Sequence, residues 1–165
     1  MIRLLAPAFE NKIVALEALA GQVVQLARPI VFTNGVFDLL HRGHVTYLAQ
    51  ARTFGASLVV AINSDASVRK LGKGDDRPLN SEDDRAALVA ALESVTLVTL
   101  FDDKVPLETI KAVRPDFYIK GGDYNIATLP ESGLVESWGG NSLSIAFDHD
   151  RSTTQLLARL RVTRD

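Results

Sequence analysis

Ile30-Val31-Phe32-Thr33-Asn34-Gly35-Val36-Phe37-Asp38-Leu39-Leu40-His41-Arg42-Gly43-His44 passes from a short apolar, β-branched run into a glycine-containing turn and on toward a helix. Ile30–Phe32 reads as a buried strand ending at Thr33-Asn34-Gly35. Val45, Leu48, Ala49 and Arg52 then sort into an apolar and a polar side, which predicts a helix over His44–Thr53. The alternation repeats downstream. Leu58–Ile62 is a nearly continuous apolar run stopping at Asn63-Ser64-Asp65, as expected of a strand covered on both faces. Ser81 precedes Glu82, Asp83 and Asp84, whose charges favour the first turn of a helix carrying Ala86, Leu88, Val89 and Leu92 on its buried side.

Val95–Phe101 is a third strand, and Pro106 opens a helix through Val113 that Arg114-Pro115 stops. Phe117–Ile119 is a fourth strand, breaking at Lys120-Gly121-Gly122-Asp123. Leu129–Trp138 reads as a helix, Leu143–Phe147 as a fifth strand and Thr153–Val162 as a closing helix. Upstream, Ile13, Leu16, Leu19, Ala20, Val23 and Leu26 give Lys12–Ala27 a helical spacing. The pattern predicts one domain over residues 1–165, with a helical preface over 1–28 and an α/β core over 29–165. Its architecture is a doubly wound five-stranded parallel sheet of order 3-2-1-4-5, with ligands beyond the carboxyl ends of the strands.

Composition narrows the chemistry. The chain has 165 residues, 47% of them hydrophobic, with 11 Gly and 6 Pro, the profile of a globular domain rather than a repeat or disordered chain. Lys and Arg number 18 against 20 Asp and Glu, so no overall basic field holds nucleic acid and any phosphate is bound locally. The absence of cysteine removes disulfides, thiolate metal sites and cysteine nucleophiles. No apolar run is long enough to cross a bilayer, and Met1–Glu10 lacks the basic-then-apolar pattern of a signal peptide, so the expectation is a cytoplasmic protein.

His41 and His44 stand three apart at a helix start, directly after the first strand, so both imidazoles and the free amides of that turn can meet one anion. Gly35 and Gly43 remove side chains where a phosphate approaches backbone. Surface or capping histidines are the competing reading. Lys70, Lys73, Arg77 and Arg85, with Gly72 and Gly74, form a flexible basic segment suited to clamping phosphate, although a solvated charge run explains Lys70 equally well. Lys120 can meet phosphate and Asp123 can accept from a sugar hydroxyl, with a Gly121-Gly122 turn between them. Asp38 either orients its loop or helps bind Mg²⁺. Arg151-Ser152-Thr153-Thr154-Gln155 opens the last helix as a second anion site or an ordinary N-cap. His149, between Asp148 and Asp150, reads as a charged loop, and neither a P-loop nor a dinucleotide fingerprint is complete.

Gly35–His44 resembles the signature of the cytidylyltransferase-like nucleotidyltransferases. Lys120-Gly121-Gly122-Asp123-Tyr124 after Arg114-Pro115-Asp116, together with Lys73-Gly74-Asp75-Asp76-Arg77-Pro78 and Asp84-Arg85, is similar more narrowly to the adenylyltransferases of ADP-heptose synthesis. The likeness runs from about Lys12 to Arg161. It implies a Rossmann-like fold and transfer of AMP from ATP to D-glycero-β-D-manno-heptose 1-phosphate with Mg²⁺, for lipopolysaccharide inner-core synthesis. His41, His44 and Lys73 would be catalytic. Thr33, Asn34, Gly35, Phe37, Lys120, Gly121, Gly122, Asp123, Ser152, Thr153 and Thr154 would bind nucleotide, and Lys73, Arg77 and Arg85 the substrate phosphate.

The resemblance also implies a possible homodimer and, because nothing here is long enough to be the sugar kinase often fused to this activity, a kinase on another chain. The wider superfamily's arginine three positions past the last threonine is Leu157 here, so the cation meeting pyrophosphate is open. Two alternatives stand: a CTP-dependent cytidylyltransferase acting on glycerol 3-phosphate or a similar alcohol phosphate, and a non-catalytic nucleotide-binding module.

Overall fold

The protein is described by a computed structural model covering residues 5–147 except Lys73 and Asp75. Five strands, β1 (Ile30–Gly35), β2 (Ser57–Asn63), β3 (Leu97–Phe101), β4 (Phe117–Gly121) and β5 (Asn141–Ile145), alternate with six helices. These are α1 (Leu16–Val23), α2 (Arg42–Arg52), α3 (Asp65–Lys70), α4 (Glu82–Ala90), α5 (Leu107–Val113) and α6 (Pro130–Glu136). All strand pairs are parallel and the order is β3-β2-β1-β4-β5, as the alternation predicts. The order reverses at β1 and β4, so a crevice opens beyond their carboxyl ends.

Alternation along the strands explains why they read as apolar without interruption. Val31, Leu58, Val60 and Ile62 pack with Leu48 and Ala51 of α2 and Ala86 and Val89 of α4. Ile30, Phe32, Val59 and Ala61 pack on the opposite face with Leu19, Ile110, Val113 and Val135, from α1, α5 and α6. Each face therefore has its own helical layer, as a parallel sheet requires. Among the described residues no helix is long and apolar enough to cross a membrane.

Several expected boundaries move, each for a local reason. α1 starts at Leu16 rather than Lys12, because Ile13 makes a parallel bridge to Val98 and Val14 N–H donates to Val98 O at 2.8 Å. α3 was not expected: Ser64, read as a strand stop, caps it by accepting from Ser67 N–H at 3.1 Å. On α4 the side chain of Leu88 is 46% exposed, while Arg85 is fully buried in its place. β4 continues through Lys120 and Gly121, and β5 spans Asn141–Ile145 rather than Leu143–Phe147. The expected helix over Thr153–Val162 lies outside the described residues.

Candidate active site

The turn leaving β1 is held by buried charge. Asp38, 3% exposed, accepts through Oδ1 from Leu79 N–H at 2.8 Å and Asn80 N–H at 3.0 Å. Its Oδ2 lies 2.8 Å from the Arg77 guanidinium, and its backbone oxygen accepts from Asn80 Nδ2 at 2.6 Å. Asp38 therefore orients the loop, and with its carboxylate so committed it does not fit as a Mg²⁺ ligand. Arg85 does not reach substrate. Its guanidinium donates to Asn80 O (3.1 Å), Val36 O (2.7 Å), Asn63 O (2.8 Å) and Asp65 Oδ1 (2.7 Å), which corrects its expected role as a phosphate ligand. Lys70 is likewise turned aside, donating to Asp102 O at 2.9 Å.

Beyond this turn the two histidines meet. His41 is the N-cap of α2 in extended conformation, yet its side chain makes no capping bond, so capping does not account for it. The His41 and His44 rings stack at 3.9 Å between centroids, 26° apart. His44 also packs against the Phe37 ring at 5.3 Å and edge-on to Phe147 at 6.2 Å. Burial, then the neighbouring His41, push the His44 pKa down to about 4, partly opposed by the Leu39 backbone. His44 is thus neutral at pH 7, with one N–H to donate and one lone pair to accept, rather than a resident cation. Both imidazoles border a cleft of about 1010 Å³.

Glycines shape the walls. A Cβ on Gly35 would meet the Phe37 ring at 3.0 Å, and one on Gly121 would meet the Tyr47 and Phe147 rings at 3.0 Å. Asn34, Gly35, Phe37, Arg77, Lys120, Gly121, Gly122 and Asp123 all line the cleft, as expected from the sequence. Thr33 does not: it is fully buried, its hydroxyl engaged with Tyr47, whose Oη donates to Ile119 O at 2.9 Å. That places Thr33 behind the wall instead of in the nucleotide pocket. Lys120 Nζ donates to Asn34 Oδ1 at 2.9 Å and lies 5.5 Å from the Tyr124 ring centre.

The sequence reading missed Tyr47, Asn63, Lys104, Tyr118, Glu131 and Phe147. Tyr47 was legible as the residue one helical turn past His44, and Tyr118 as the residue two before Lys120 on the same strand face. Lys104 and Phe147, on loops after β3 and β5, left no such signal. Lys73, Ser152, Thr153 and Thr154 lie outside the described residues, as do Arg151, His149 and Leu157. Among the described residues no group of three or more His, Cys, Asp or Glu could hold a metal.

The profile of the cytidylyltransferase-like family matches residues 32–155, most of the chain, from the third residue of β1 through the turn and α2. The chain belongs to this family. Membership of the cytidylyltransferase-like proteins agrees with the imidazole pair at the carboxyl edge of β1. The chain is 59% identical to a D-β-D-heptose 1-phosphate adenylyltransferase of Bordetella bronchiseptica, over 93% of this chain and 96% of that protein. It is 46% identical to the bifunctional protein HldE of Geotalea uraniireducens, over 94% of this chain but 32% of that longer protein. Among solved structures, a lipopolysaccharide core biosynthesis protein from Thermoplasma volcanium superposes with a TM-score of 0.61 and 28% identity, covering 74% of this chain and 98% of that one.

Two outcomes follow from this geometry. Arg85→Met leaves Asp65 and three carbonyls without their donor, so urea unfolding should show a loss of about 3–5 kcal/mol; an unchanged stability with a raised KM would restore Arg85 to the substrate. By imidazole NMR, His44 of the free protein should titrate near 4. Its folded pKa lies below the unfolded value of about 6.5, so the stability this neutral ring confers is present above that pH and is lost as pH falls toward 4. Inorganic tripolyphosphate should raise the midpoint; a free-protein midpoint near 6.5 would contradict the buried, stacked arrangement.

Proposed function

We propose that the protein transfers AMP from ATP to D-glycero-β-D-manno-heptose 1-phosphate, releasing pyrophosphate and forming ADP-heptose for the lipopolysaccharide inner core. The observation that carries this reading is the convergence of His41, His44, Asn34 and Lys120 on one cleft, in a chain 59% identical to a heptose 1-phosphate adenylyltransferase. In the reaction an oxygen of the sugar phosphate attacks the α-phosphorus of ATP and the bond to the β-phosphate breaks. A phosphomonoester has its second pKa near 6, so the nucleophile is ionised without a general base. The site's task is then to align two polyanions and to stabilise charge growing on the phosphorus oxygens and the leaving group.

The lining supports this division of labour. After β2 and β3 the wall carries cations, Arg77 and Lys104, suited to the sugar phosphate or the departing pyrophosphate. After β4 and β5 it carries Tyr124 and Phe147 for a base, with Asp123 and Glu131 as acceptors for hydroxyls. Between them His41 and His44 face the α-phosphate, and Asn34 and Lys120 a neighbouring phosphate oxygen. The described residues do not build a Mg²⁺ cage of their own; in this proposal Mg²⁺ arrives on the triphosphate, the mode that suits its reluctance to shed water. The heptose 1-phosphate is the product of a sugar kinase reaction, and the setting is the cytoplasm.

The test is a grid of ATP, CTP, GTP and UTP against heptose 1-phosphate and glycerol 3-phosphate, read by pyrophosphate release. Signal is expected only with ATP and heptose 1-phosphate. Turnover with CTP and glycerol 3-phosphate would replace the substrate assignment, and no release in any cell would favour a binding module.

A further inference from the structure

Asn34 lines the cleft with its side-chain oxygen held from behind. Oδ1 accepts from Lys120 Nζ at 2.9 Å and from Tyr118 Oη at 3.1 Å. An ammonium group only donates, so the Lys120 contact decides which end of the Asn34 amide is oxygen. Nδ2 is then turned away from both donors, and it makes no hydrogen bond to any described residue. Tyr118 is fully buried, its ring 6.3 Å from that of Phe32. Glu131 Oε1, also buried, accepts from the same hydroxyl at 3.2 Å. Burial first, and the charge of Glu131 second, raise the Tyr118 pKa, so the phenol keeps its one proton, which Asn34 Oδ1 and Glu131 Oε1 share as acceptors.

We propose that Tyr118 is a positioning residue for the transfer reaction: by donating to Asn34 Oδ1 it helps fix the amide so that the NH₂ group, not the carbonyl, faces the phosphates. The consequence is electrostatic. A reversed amide would set a carbonyl dipole against a polyanion, whereas the fixed one offers two N–H donors at no reorganisation cost when the nucleotide arrives. The proposal rests on the reading above, in which Asn34 contacts the nucleotide's phosphates. Tyr118 touches no substrate in this account and acts only through Asn34.

A double-mutant cycle tests it, with kcat and KM for ATP measured in the wild type, Tyr118→Phe, Asn34→Ala and the double variant. Tyr118→Phe should lower kcat/KM about tenfold, mostly through KM, the size of one net hydrogen bond. Asn34→Ala should cost more, and adding Tyr118→Phe to it should then change kcat/KM by less than about twofold, because the group through which Tyr118 acts is gone. Equal losses in both backgrounds, or wild-type constants for Tyr118→Phe, overturn the proposal. If Asn34→Ala itself leaves KM for ATP unchanged, the phosphate reading of Asn34 fails first and the positioning role with it.

Asn34→Asp supplies an arm that does not depend on the tyrosine variant folding. It keeps the oxygen that both donors hold and replaces the NH₂ by an oxygen facing the phosphates. ATP affinity should fall further than for Asn34→Ala. Affinity equal to or better than that of Asn34→Ala would show that the NH₂ group does not face the nucleotide.

Discussion

Arg85 donates from α4 to the backbone carbonyls of Val36, Asn63 and Asn80 and to the Asp65 carboxylate, so one fully buried cation ties together the exits of β1 and β2, the start of α3 and the turn before α4. Val36 lies in the turn that carries Phe37, Asp38 and the two histidines. The two histidines are therefore placed relative to this guanidinium. A lysine would not serve, because its compact ammonium lacks the planar fork that reaches several acceptors in fixed directions. Asp38 adds a second fastening through the Leu79 and Asn80 amides. Buried ionic groups of this kind contribute little net stability but make departure from one geometry expensive, and phosphoryl-type transfer depends on geometry.

Within that frame one of the two imidazoles carries no charge at rest. His44 is neutral at pH 7 because burial and the stacked His41 both disfavour the imidazolium. A permanent cation there would bind the resting triphosphate tightly and gain less in the transition state. A neutral donor strengthens its hydrogen bond as negative charge grows on the phosphorus oxygens. In the proposed reading the fixed Asn34 amide and the α2 amino terminus act in the same way, as oriented dipoles. In the proposed reading charge enters the cleft at Arg77 and Lys104 on one wall and at Lys120 beside Asn34.

The sheet order and the helix sequence were legible because each strand is buried on both faces and each helix buries one side, which leaves a strong periodic signal. The imidazole pair was legible because strand, turn and spacing coincide within fifteen residues of sequence. The roles of Arg85, Thr33 and Lys70 were not. Their letters suit phosphate binding, and only the fold shows that Arg85 sits in the interior on four acceptors, that Thr33 faces Tyr47, and that Lys70 bonds Asp102 O. α3 escaped notice because its six residues carry too little periodicity to outweigh the Asn63-Ser64-Asp65 stop. Lys104 and Phe147 reach the cleft from loops whose paths depend on distant packing, which no local pattern encodes.

The most direct measurement sets chemistry against binding in His41→Ala and His44→Ala: the single-turnover rate of pyrophosphate release beside the dissociation constant for ATP. If these rings act chiefly on the transition state, each variant should lose roughly a hundredfold or more in rate, the usual cost of one preorganised donor, while ATP affinity changes far less. Equal factors in rate and affinity, or near-normal rates with either ring removed, would contradict the account.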